Sequence, residues 1–336
     1  MTGISGGLVT HLDLGSNGFC PGTYQARATP TEDSRGIYDM SRTKCTTPGA
    51  TAERNRRKLL DLTEKIPPLP EIITDLLELT QDGEATPDQI QDLLQNDPVL
   101  VGKVLMLVNS PLFALNREIT SIREGVVLLG FSPLRSMVLA YSASQSMLAD
   151  YSCYGHSDRG LWFHSVAVAA AARNLATQIG LNRETQETLF VCGMMHDIGK
   201  MLLAPTLNER RISIRLFPGS ATDMEYQIAG LNHAEAGALI AAKWNLAQTV
   251  QEVVAQHHED NGGPADYRSH CAILRIANAY AKEVGVGYLP GQAGDVIYDA
   301  ADLKLLHLRE ETWDQARSEM AVTVDEAVNT LGQIIA

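Results

Sequence analysis

Helix start signals recur along this chain, and they constrain its fold more than any other feature. Thr86, Asp97 and Ser132 are each followed directly by proline. These residue types are favoured at the N-cap of a helix, and proline is favoured at the first helical position. Apolar residues then follow at helical spacing, as at Ile90 and Leu94, whereas the alternation typical of strands is almost absent. The sequence therefore predicts an all-α fold.

The length of the chain predicts more than one packing unit. At 336 residues it exceeds the size at which a single hydrophobic core usually stops growing. We expect a two-lobed helical bundle, with a small N-terminal helical lobe over residues 55–150 and a histidine-bearing helical lobe over 151–285. Two further helical segments over 286–336 are expected to cover this body. Residues 1–54 lack apolar periodicity and are predicted to form a flexible leader.

Charge and cysteine content limit the partners and the compartment. The formal net charge of −13 opposes binding to nucleic acid or to an anionic membrane. Five cysteines without CxxC spacing indicate neither a disulfide framework nor a zinc knuckle. No apolar run approaches the roughly 20 residues that a membrane span requires, and the first residues lack the order of a signal peptide. We expect a cytoplasmic protein.

Histidines are concentrated in the second lobe, and this bias is the main indication of function. His196 and Asp197 place an imidazole beside a carboxylate at the end of an apolar helix. Neighbouring side chains on a regular helix diverge by about 100°, so we expect Gly199 to mark a point where the helix loosens. Such a mixed ligand set suits Mn, Fe, Ni or Zn, and a helical bundle can bring its members together. The set comprises His164, His196, Asp197, His233 and His257.

The arrangement of these motifs resembles a known superfamily. A His on an Ala-rich helix, an HDIGK run, a His in NHAEAGALIAAKW and a later His-His pair resemble the HD superfamily of metal-dependent phosphohydrolases. The first lobe contains KIPPLPEIITDLLEL, LLQNDPVLVGKVLMLVNSPLF and SIREGVVLLGFSPLRSMVLA. These stretches resemble the HDOD family, the HD-related output domain of bacterial signalling proteins. The resemblance covers about residues 60–280 and implies an HD-domain-like helical core.

The resemblance also implies a ligand set with one departure. The minimal metal site of active HD enzymes consists of a His, a His-Asp pair and a later Asp. His164, His196 and Asp197 match the first three positions, whereas the last falls on Asn278. An amide is a weaker ligand than a carboxylate, so we expect reduced ion affinity.

A second departure concerns the related HD-GYP cyclic-dinucleotide phosphodiesterases. Their extended sites recruit further histidines, which His233, His257 and His258 match. Those sites also use a Glu one turn before the first His, and this chain has Gly160 there. The GYP tripeptide itself is missing. The chain is therefore rich in imidazoles and short of carboxylates for a hydrolase.

A metal-loaded site would carry out phosphoester hydrolysis assisted by one or two ions, and either Lys200 or the second-site histidines would stabilise the phosphate oxygens. Structural interpretations stay open beside it. Lys200 can instead complement a helix dipole as a cation in the last turn. His164 can be a core histidine, His233 a solvated residue at a helix start, His258 an exposed one, and the His196-Asp197 pair a vestigial hydrogen-bonded pair. We assign no role to His156, His270 and His307.

Three functions are compatible with these observations. The missing carboxylates favour a regulatory HDOD module with a degenerate metal site, acting through contacts with signalling proteins or a nucleotide. The histidines keep open a metal-dependent phosphohydrolase or phosphodiesterase that acts on a nucleotide or a cyclic dinucleotide. The third alternative is a helical scaffold without catalysis. No receiver, cyclase or kinase motif is visible in the chain.

Overall fold

The fold is built from helices. The computed structural model describes residues 50–80, 84–109, 117–214, 220–259, 267–294 and 296–331. Within these ranges there is no strand, and only His156 and Tyr288 form an isolated antiparallel bridge. The predicted all-α class is confirmed.

The helices divide into three regions along the chain. The N-terminal region contains α1 (Ala50–Lys65), α2 (Glu71–Leu79), α3 (Pro87–Leu94), α4 (Pro98–Val108), α5 (Ile122–Leu129) and α6 (Phe131–Ser144). The central region contains α7 (Gly160–Gln178), α8 (Arg183–Met195), α9 (Lys200–Glu209), α10 (Ala221–Ala229), α11 (His233–Lys243), α12 (Gln248–Gln256) and α13 (Arg268–Glu283). The C-terminal region contains α14 (Ala300–Leu305) and α15 (Glu310–Leu331). None of the helices in the described ranges is long and apolar enough to cross a bilayer.

Two of the three predicted proline-marked helix starts are confirmed. Thr86 forms a capping box with Gln89: its Oγ1 accepts from the Gln89 backbone N–H at 3.3 Å, and Gln89 Oε1 accepts from the Thr86 N–H at 2.8 Å. Asp97 Oδ1 accepts from a backbone N–H three residues further on at 2.9 Å. The third start is wrong by two residues, because α6 begins at Phe131 with Gly130 at the N-cap, and Ser132 already lies in its first turn.

The boundary of the predicted leader is also wrong. Helix α1 begins at Ala50, so the last five residues assigned to the leader are helical, while residues 1–49 lie outside the described residues. Tertiary contact explains this start. Ala52 and Leu59 are buried, and Gly230 approaches α1 so closely that a Cβ there would lie 2.6 Å from the Ala52 carbonyl oxygen. Such a contact between distant segments leaves no local sequence pattern.

Helix α7 lies at the centre of the second lobe. Its alanines between residues 167 and 172 are fully buried, and the small side chains let other helices approach closely. A Cβ at Gly193 of α8 would lie 2.4 Å from the Cα of Ala169. On another side, Asn174 Nδ2 donates to Thr323 Oγ1 of α15 at 2.9 Å. Helix α7 therefore forms the frame on which the histidine-bearing helices are placed.

The two lobes share contacts and a continuous core. The buried apolar residues of both regions form one cluster. Trp244, at the end of α11, donates from Nε1 to the Pro67 carbonyl oxygen at 3.1 Å. The ammonium of Lys243 donates to the Thr63 carbonyl oxygen at 2.9 Å. These two bonds connect residues near the start of the first lobe to α11, the helix that begins with the candidate ligand His233.

Candidate metal centre

Six of the seven side chains predicted as ligands lie together inside the second lobe. They come from the middle of α7, the turn after α8, the start of α11 and the end of α12. All of them except His258, which is partly exposed, are at most 2 % exposed. We call this set the histidine cluster: His164, His196, Asp197, His233, His257 and His258.

Asp197 lies between two groups of imidazoles. Its Oδ2 is 3.2 Å from His196 Nε2 and 3.6 Å from His164 Nε2, and its Oδ1 is 3.2 Å from His233 Nε2. The first group is His164, His196 and Asp197, and the second is His233, His257 and His258. Within each group, the candidate ligand atoms lie within 4.8 Å of one another. The two groups thus offer two neighbouring positions that can hold a metal ion.

Hydrogen bonds to the backbone decide which nitrogen of two imidazoles is free. His196 Nδ1 lies 2.8 Å from the Gly193 carbonyl oxygen, and His257 Nδ1 lies 2.7 Å from that of Val254. A carbonyl oxygen only accepts, so both Nδ1 atoms carry a proton and both Nε2 atoms are left facing the interior of the cluster. Those Nε2 atoms are buried and have no hydrogen-bond partner among the described residues. A backbone hydrogen bond at Nδ1 fixes the orientation in which Nε2 of each ring could bind a metal.

A carboxylate that sequence reasoning missed holds a third imidazole. Glu225 of α10 is fully buried, and its Oε2 accepts from His233 Nδ1 at 2.7 Å and from the His233 backbone N–H at 2.8 Å. His233 is therefore not held by water, as one interpretation of the sequence had it. Helix α10 had not been predicted, and the only local trace of Glu225 is an acidic residue within an amphipathic stretch.

The charges of the cluster separate into one anion and several neutral rings. Burial alone would raise the pKa of Asp197, but the neighbouring His196 and Lys200 outweigh it and hold that pKa well below its usual range. Burial lowers the pKa of His164, His257 and His258, so these rings are neutral. An ionised carboxylate with neutral imidazoles is the protonation state that metal ligands need.

His233 differs from the other rings. Burial would lower its pKa, but the carboxylate of Glu225 and the hydrogen bond to Asp197 raise it to about 9. Its Nε2 lies 2.9 Å from His258 Nε2. One of these two nitrogens therefore carries a proton in the absence of an ion.

Lys200 contacts the cluster in a way that the sequence did not predict. It is the first residue of α9, not a residue in the last turn of a helix, so its interpretation as a cation complementing a helix C-terminus is wrong. Its ammonium donates to Asp197 Oδ2 at 2.6 Å and lies 4.9 Å from the centre of the Tyr154 ring. Lys200 is therefore hydrogen-bonded to one of the two carboxylate oxygens of Asp197.

Gly199 acts through packing instead of through helix loosening. Helix α8 ends at Met195, so the His196-Asp197 pair already lies in a turn, and the Gly199 φ of −62° suits any residue. A Cβ at Gly199, however, would lie 2.0 Å from the His233 carbonyl oxygen and 2.5 Å from the Gly237 nitrogen. The missing side chain lets the start of α11 reach Asp197.

A second close glycine contact closes the side of the cluster near His164. A Cβ at Gly160 would lie 2.0 Å from the Gly287 carbonyl oxygen. Backbone therefore fills the space that a side chain would need at Gly160, the position where the HD-GYP pattern has a Glu. The same Gly287 oxygen accepts from His156 Nδ1 at 3.2 Å, and the His156 ring stacks on Tyr288 at 4.4 Å. His156, to which sequence reasoning gave no role, is buried with its ring centre 5.6 Å from that of His164.

The remaining predicted residues take other places. Asn278 lies on α13 and is 9 % exposed, and its Oδ1 is buried without a hydrogen-bond partner in the described ranges. Its role as a weak ligand stays a prediction. His270 is partly buried beside Tyr267, and His307 is exposed.

The donor set fits a divalent transition metal. Unpartnered imidazole nitrogens point to a borderline-soft ion, and the ionised Asp197 supplies charge neutralisation between the two groups. The deficit of carboxylates argues against Mg²⁺ or Ca²⁺, which prefer oxygen ligands. The residues present therefore match the predicted ions better than hard cations.

Comparisons with known proteins agree with this architecture. The family description "HDOD domain" matches residues 66–260, more than half of the chain. A crystal structure of an HDOD domain protein with unknown function from Geobacter sulfurreducens superposes with a TM-score of 0.58. That alignment has 23 % sequence identity and covers 84 % of this chain and 96 % of that one. The superposition supports the fold.

Two curated relatives match parts of the chain. An uncharacterized protein of Treponema pallidum is 25 % identical over 226 residues, covering 65 % of this chain and 43 % of that protein. A cyclic di-GMP phosphodiesterase of Pseudomonas aeruginosa is 31 % identical over 104 residues, covering 31 % of this chain and 23 % of that protein. The chain spans less than half the length of these curated relatives.

Proposed function

This chain belongs to the HDOD family, and we propose that it is a signalling module whose histidine cluster binds a divalent transition metal without efficient hydrolysis. The ion would be Fe, Mn, Ni or Zn, one or two per chain. The ligands would be His164, His196 and Asp197 on one side and His233, His257 and His258 on the other. The module would act through contacts with other signalling proteins or through a nucleotide that reports on its state.

The unpartnered Nε2 atoms of His196 and His257 carry this proposal. A buried polar atom without a hydrogen bond costs about 1–3 kcal/mol, and two such atoms lie in one small volume beside an ionised carboxylate. Their Nδ1 atoms already donate to the backbone, so a rotation that satisfies Nε2 would break an existing bond. Binding of a metal ion by these nitrogens would remove this cost, and the ion would neutralise Asp197.

Three features of the same site favour regulation over turnover. A bound ion supplies Lewis-acid chemistry, but hydrolysis also needs enough anionic ligands and access for a substrate. Gly287 fills the Gly160 position, and Asn278 stands where the last Asp is expected, which leaves Asp197 as the sole carboxylate among the proposed ligands. Lys200 binds an oxygen of that carboxylate, and the ligands other than His258 are buried.

Metal analysis tests the proposal. We expect purified wild-type protein to contain one or two equivalents of a divalent transition metal by inductively coupled plasma mass spectrometry. The His196→Ala, Asp197→Ala double variant should lose it, because the first group loses two of its three ligands and the second loses the carboxylate beside it. His270→Gln, which changes a partly buried histidine outside the cluster, serves as the matched control. A correctly folded wild-type protein that neither contains nor takes up such a metal would contradict the proposal.

A phosphodiesterase is the second candidate, and the position of Asp197 between two ligand groups favours it. Asp197 lies within 3.2 Å of an imidazole nitrogen of each group, and two ions held by these residues would supply Lewis-acid chemistry suited to phosphodiester hydrolysis. The relative from Pseudomonas aeruginosa is a cyclic di-GMP phosphodiesterase, so cyclic di-GMP is the first substrate to test. Turnover by metal-loaded wild-type protein that disappears in Asp197→Asn would replace the regulatory proposal with this one.

A further inference from the structure

Glu225 contacts both the ring and the backbone of His233, a member of the histidine cluster. We propose that Glu225 is a positioning residue that sets the metal affinity of the second group by fixing the ring of His233. The inference rests on the proposed metal binding. Glu225 is fully buried on α10, and its two oxygens lie 2.7 and 2.9 Å from His233 Nδ1.

The hydrogen bonds assign the proton and the direction of the ring. The Glu225 oxygens accept from His233, so Nδ1 donates to Glu225 and Nε2 faces the interior of the cluster. There Nε2 lies 3.2 Å from Asp197 Oδ1 and 2.9 Å from His258 Nε2. A carboxylate behind a ligating imidazole fixes its tautomer and raises its basicity.

A second contact fixes the ring relative to its helix. Glu225 Oε2 also accepts from the backbone N–H of His233, the first residue of α11, at 2.8 Å. One carboxylate thus holds the ring and the backbone from which the ring extends. Loss of Glu225 would free the ring to rotate while leaving every candidate ligand atom in the chain.

The start of α11 has a capping box that does not involve Glu225. Asn232 Oδ1 accepts from the Glu235 N–H at 2.9 Å, and Glu235 Oε2 accepts from the Asn232 N–H at 2.9 Å. This capping box satisfies the Asn232 and Glu235 N–H groups, and Glu225 adds a bond to the His233 N–H. Burying a carboxylate costs several kcal/mol unless it is paired, so one additional capping bond gives little reason to place one here. The position of Glu225 behind the imidazole of His233, where it fixes the ring, does give such a reason.

The burial of Glu225 is matched elsewhere in the chain by a carboxylate with a different partner. Glu187 of α8 is 5 % exposed, and its Oε1 lies 3.4 Å from Nη1 of Arg173, a cation outside the histidine cluster. Glu187→Gln therefore reports the effect of neutralising a buried glutamate without touching a candidate ligand. It is the control for the same substitution at Glu225.

Metal affinity measured by chelator competition tests the role of Glu225. We expect Glu225→Gln, which keeps one acceptor but no charge, to weaken binding of Zn²⁺ or Co²⁺ about 10-fold, and Glu225→Ala to weaken it up to about 100-fold. The visible absorption of Co²⁺-loaded protein should change in both variants, because the His233 ligand moves. Glu187→Gln should bind with wild-type affinity and give the wild-type spectrum.

The outcomes separate this inference from the proposed function. Metal-loaded wild-type protein with an unchanged affinity and cobalt spectrum in Glu225→Gln would overturn the role of Glu225 alone. Wild-type protein that binds neither Zn²⁺ nor Co²⁺ would overturn metal binding itself, and with it the positioning role. If Glu225→Ala does not fold, the Gln variant still decides, and circular dichroism of the metal-free proteins verifies its fold.

Discussion

At the scale of single residues, the cluster is defined by where its protons lie. The backbone carbonyls of Gly193 and Val254 hold protons on the Nδ1 atoms of His196 and His257, and Glu225 does the same for His233. Each of these rings then presents Nε2 to the interior. The family motif identifies the candidate ligands, but these hydrogen bonds determine which atom of each candidate ligand is available.

The opposite pKa shifts of the buried histidines predict an optimum in the stability of metal-free protein near pH 6.5. The pKa values of His164 and His257 are lowered by burial, so their unfolded forms bind more protons below about pH 6.5, and stability is lost as pH falls. The pKa of His233 is about 9, so its contribution is lost as pH rises from 6.5 through 9. Each histidine changes the slope of the free energy of unfolding against pH by at most about 1.4 kcal/mol per pH unit.

Urea unfolding in the presence of a chelator measures this dependence. Free energies of unfolding at pH 5, 6.5, 8 and 9 should pass through a maximum near 6.5. Glu225→Gln should flatten the alkaline side, because it removes the charge that raises the pKa of His233. A free energy that rises steadily between pH 6.5 and 9 would contradict the proposed protonation of His233.

At the scale of helices, the cluster depends on how closely the elements approach. Glycines are found where two backbones meet: Gly193 against α7, Gly199 against α11 and Gly160 against the segment that contains Gly287. None of these three positions has a positive φ. Glycine is therefore required because there is no space for a Cβ, and not because the backbone conformation excludes other residues. Close approach is what places His233 beside Asp197.

Gly199→Ala should therefore separate the two ligand groups. The new Cβ would lie 2.0 Å from the His233 carbonyl oxygen, and backbone cannot give way cheaply. We expect a cost of a few kcal/mol from overpacking, typically about 1–3, and loss of metal from the purified protein. Thermal unfolding and metal analysis measure the two effects.

Gly102→Ala is the matched control for that substitution. Gly102 lies within α4 and is exposed, and a Cβ added there would have no neighbouring atom within 4 Å. Alanine is favoured over glycine in a helix by about 1 kcal/mol, so this variant should be as stable as wild type or more stable. Equal effects of the two substitutions would show that the approach of α11 does not matter.

At the scale of the whole molecule, the region beyond the family match packs against the site. Arg275 of α13 forms a bidentate ion pair with Asp302 of α14, at 2.5 and 2.7 Å, and also donates to the Glu259 carbonyl oxygen at 2.8 Å. Glu259 directly follows the His257-His258 pair. On the other side, Tyr288 packs against His156 and His164. This region thus contacts His164 through Tyr288 and the residue that follows His258 through Arg275.

Asp302→Asn should weaken this attachment. Both partners of the pair are mostly buried, and breaking a buried pair by removing one charge typically costs about 3–5 kcal/mol. Chemical denaturation and limited proteolysis should show a less stable protein with earlier cleavage in the region after residue 285. Arg57→Gln breaks an exposed ion pair with Glu53 and should change stability by less than about 1 kcal/mol. Comparable losses in both variants would contradict the importance of the C-terminal attachment.

The sequence by itself determined the helical class, two of the proline-marked helix starts and the residues of the HD-type pattern. These features depend on contacts within a few residues, such as the Thr86 capping box, or on a motif with fixed spacing. Tertiary structure decided the rest. Glu225, the burial of His156, the start of α1 and the role of Gly199 all depend on segments that are distant in the chain. Only the packing of helices determines those distances, and so which nitrogens, oxygens and backbones meet.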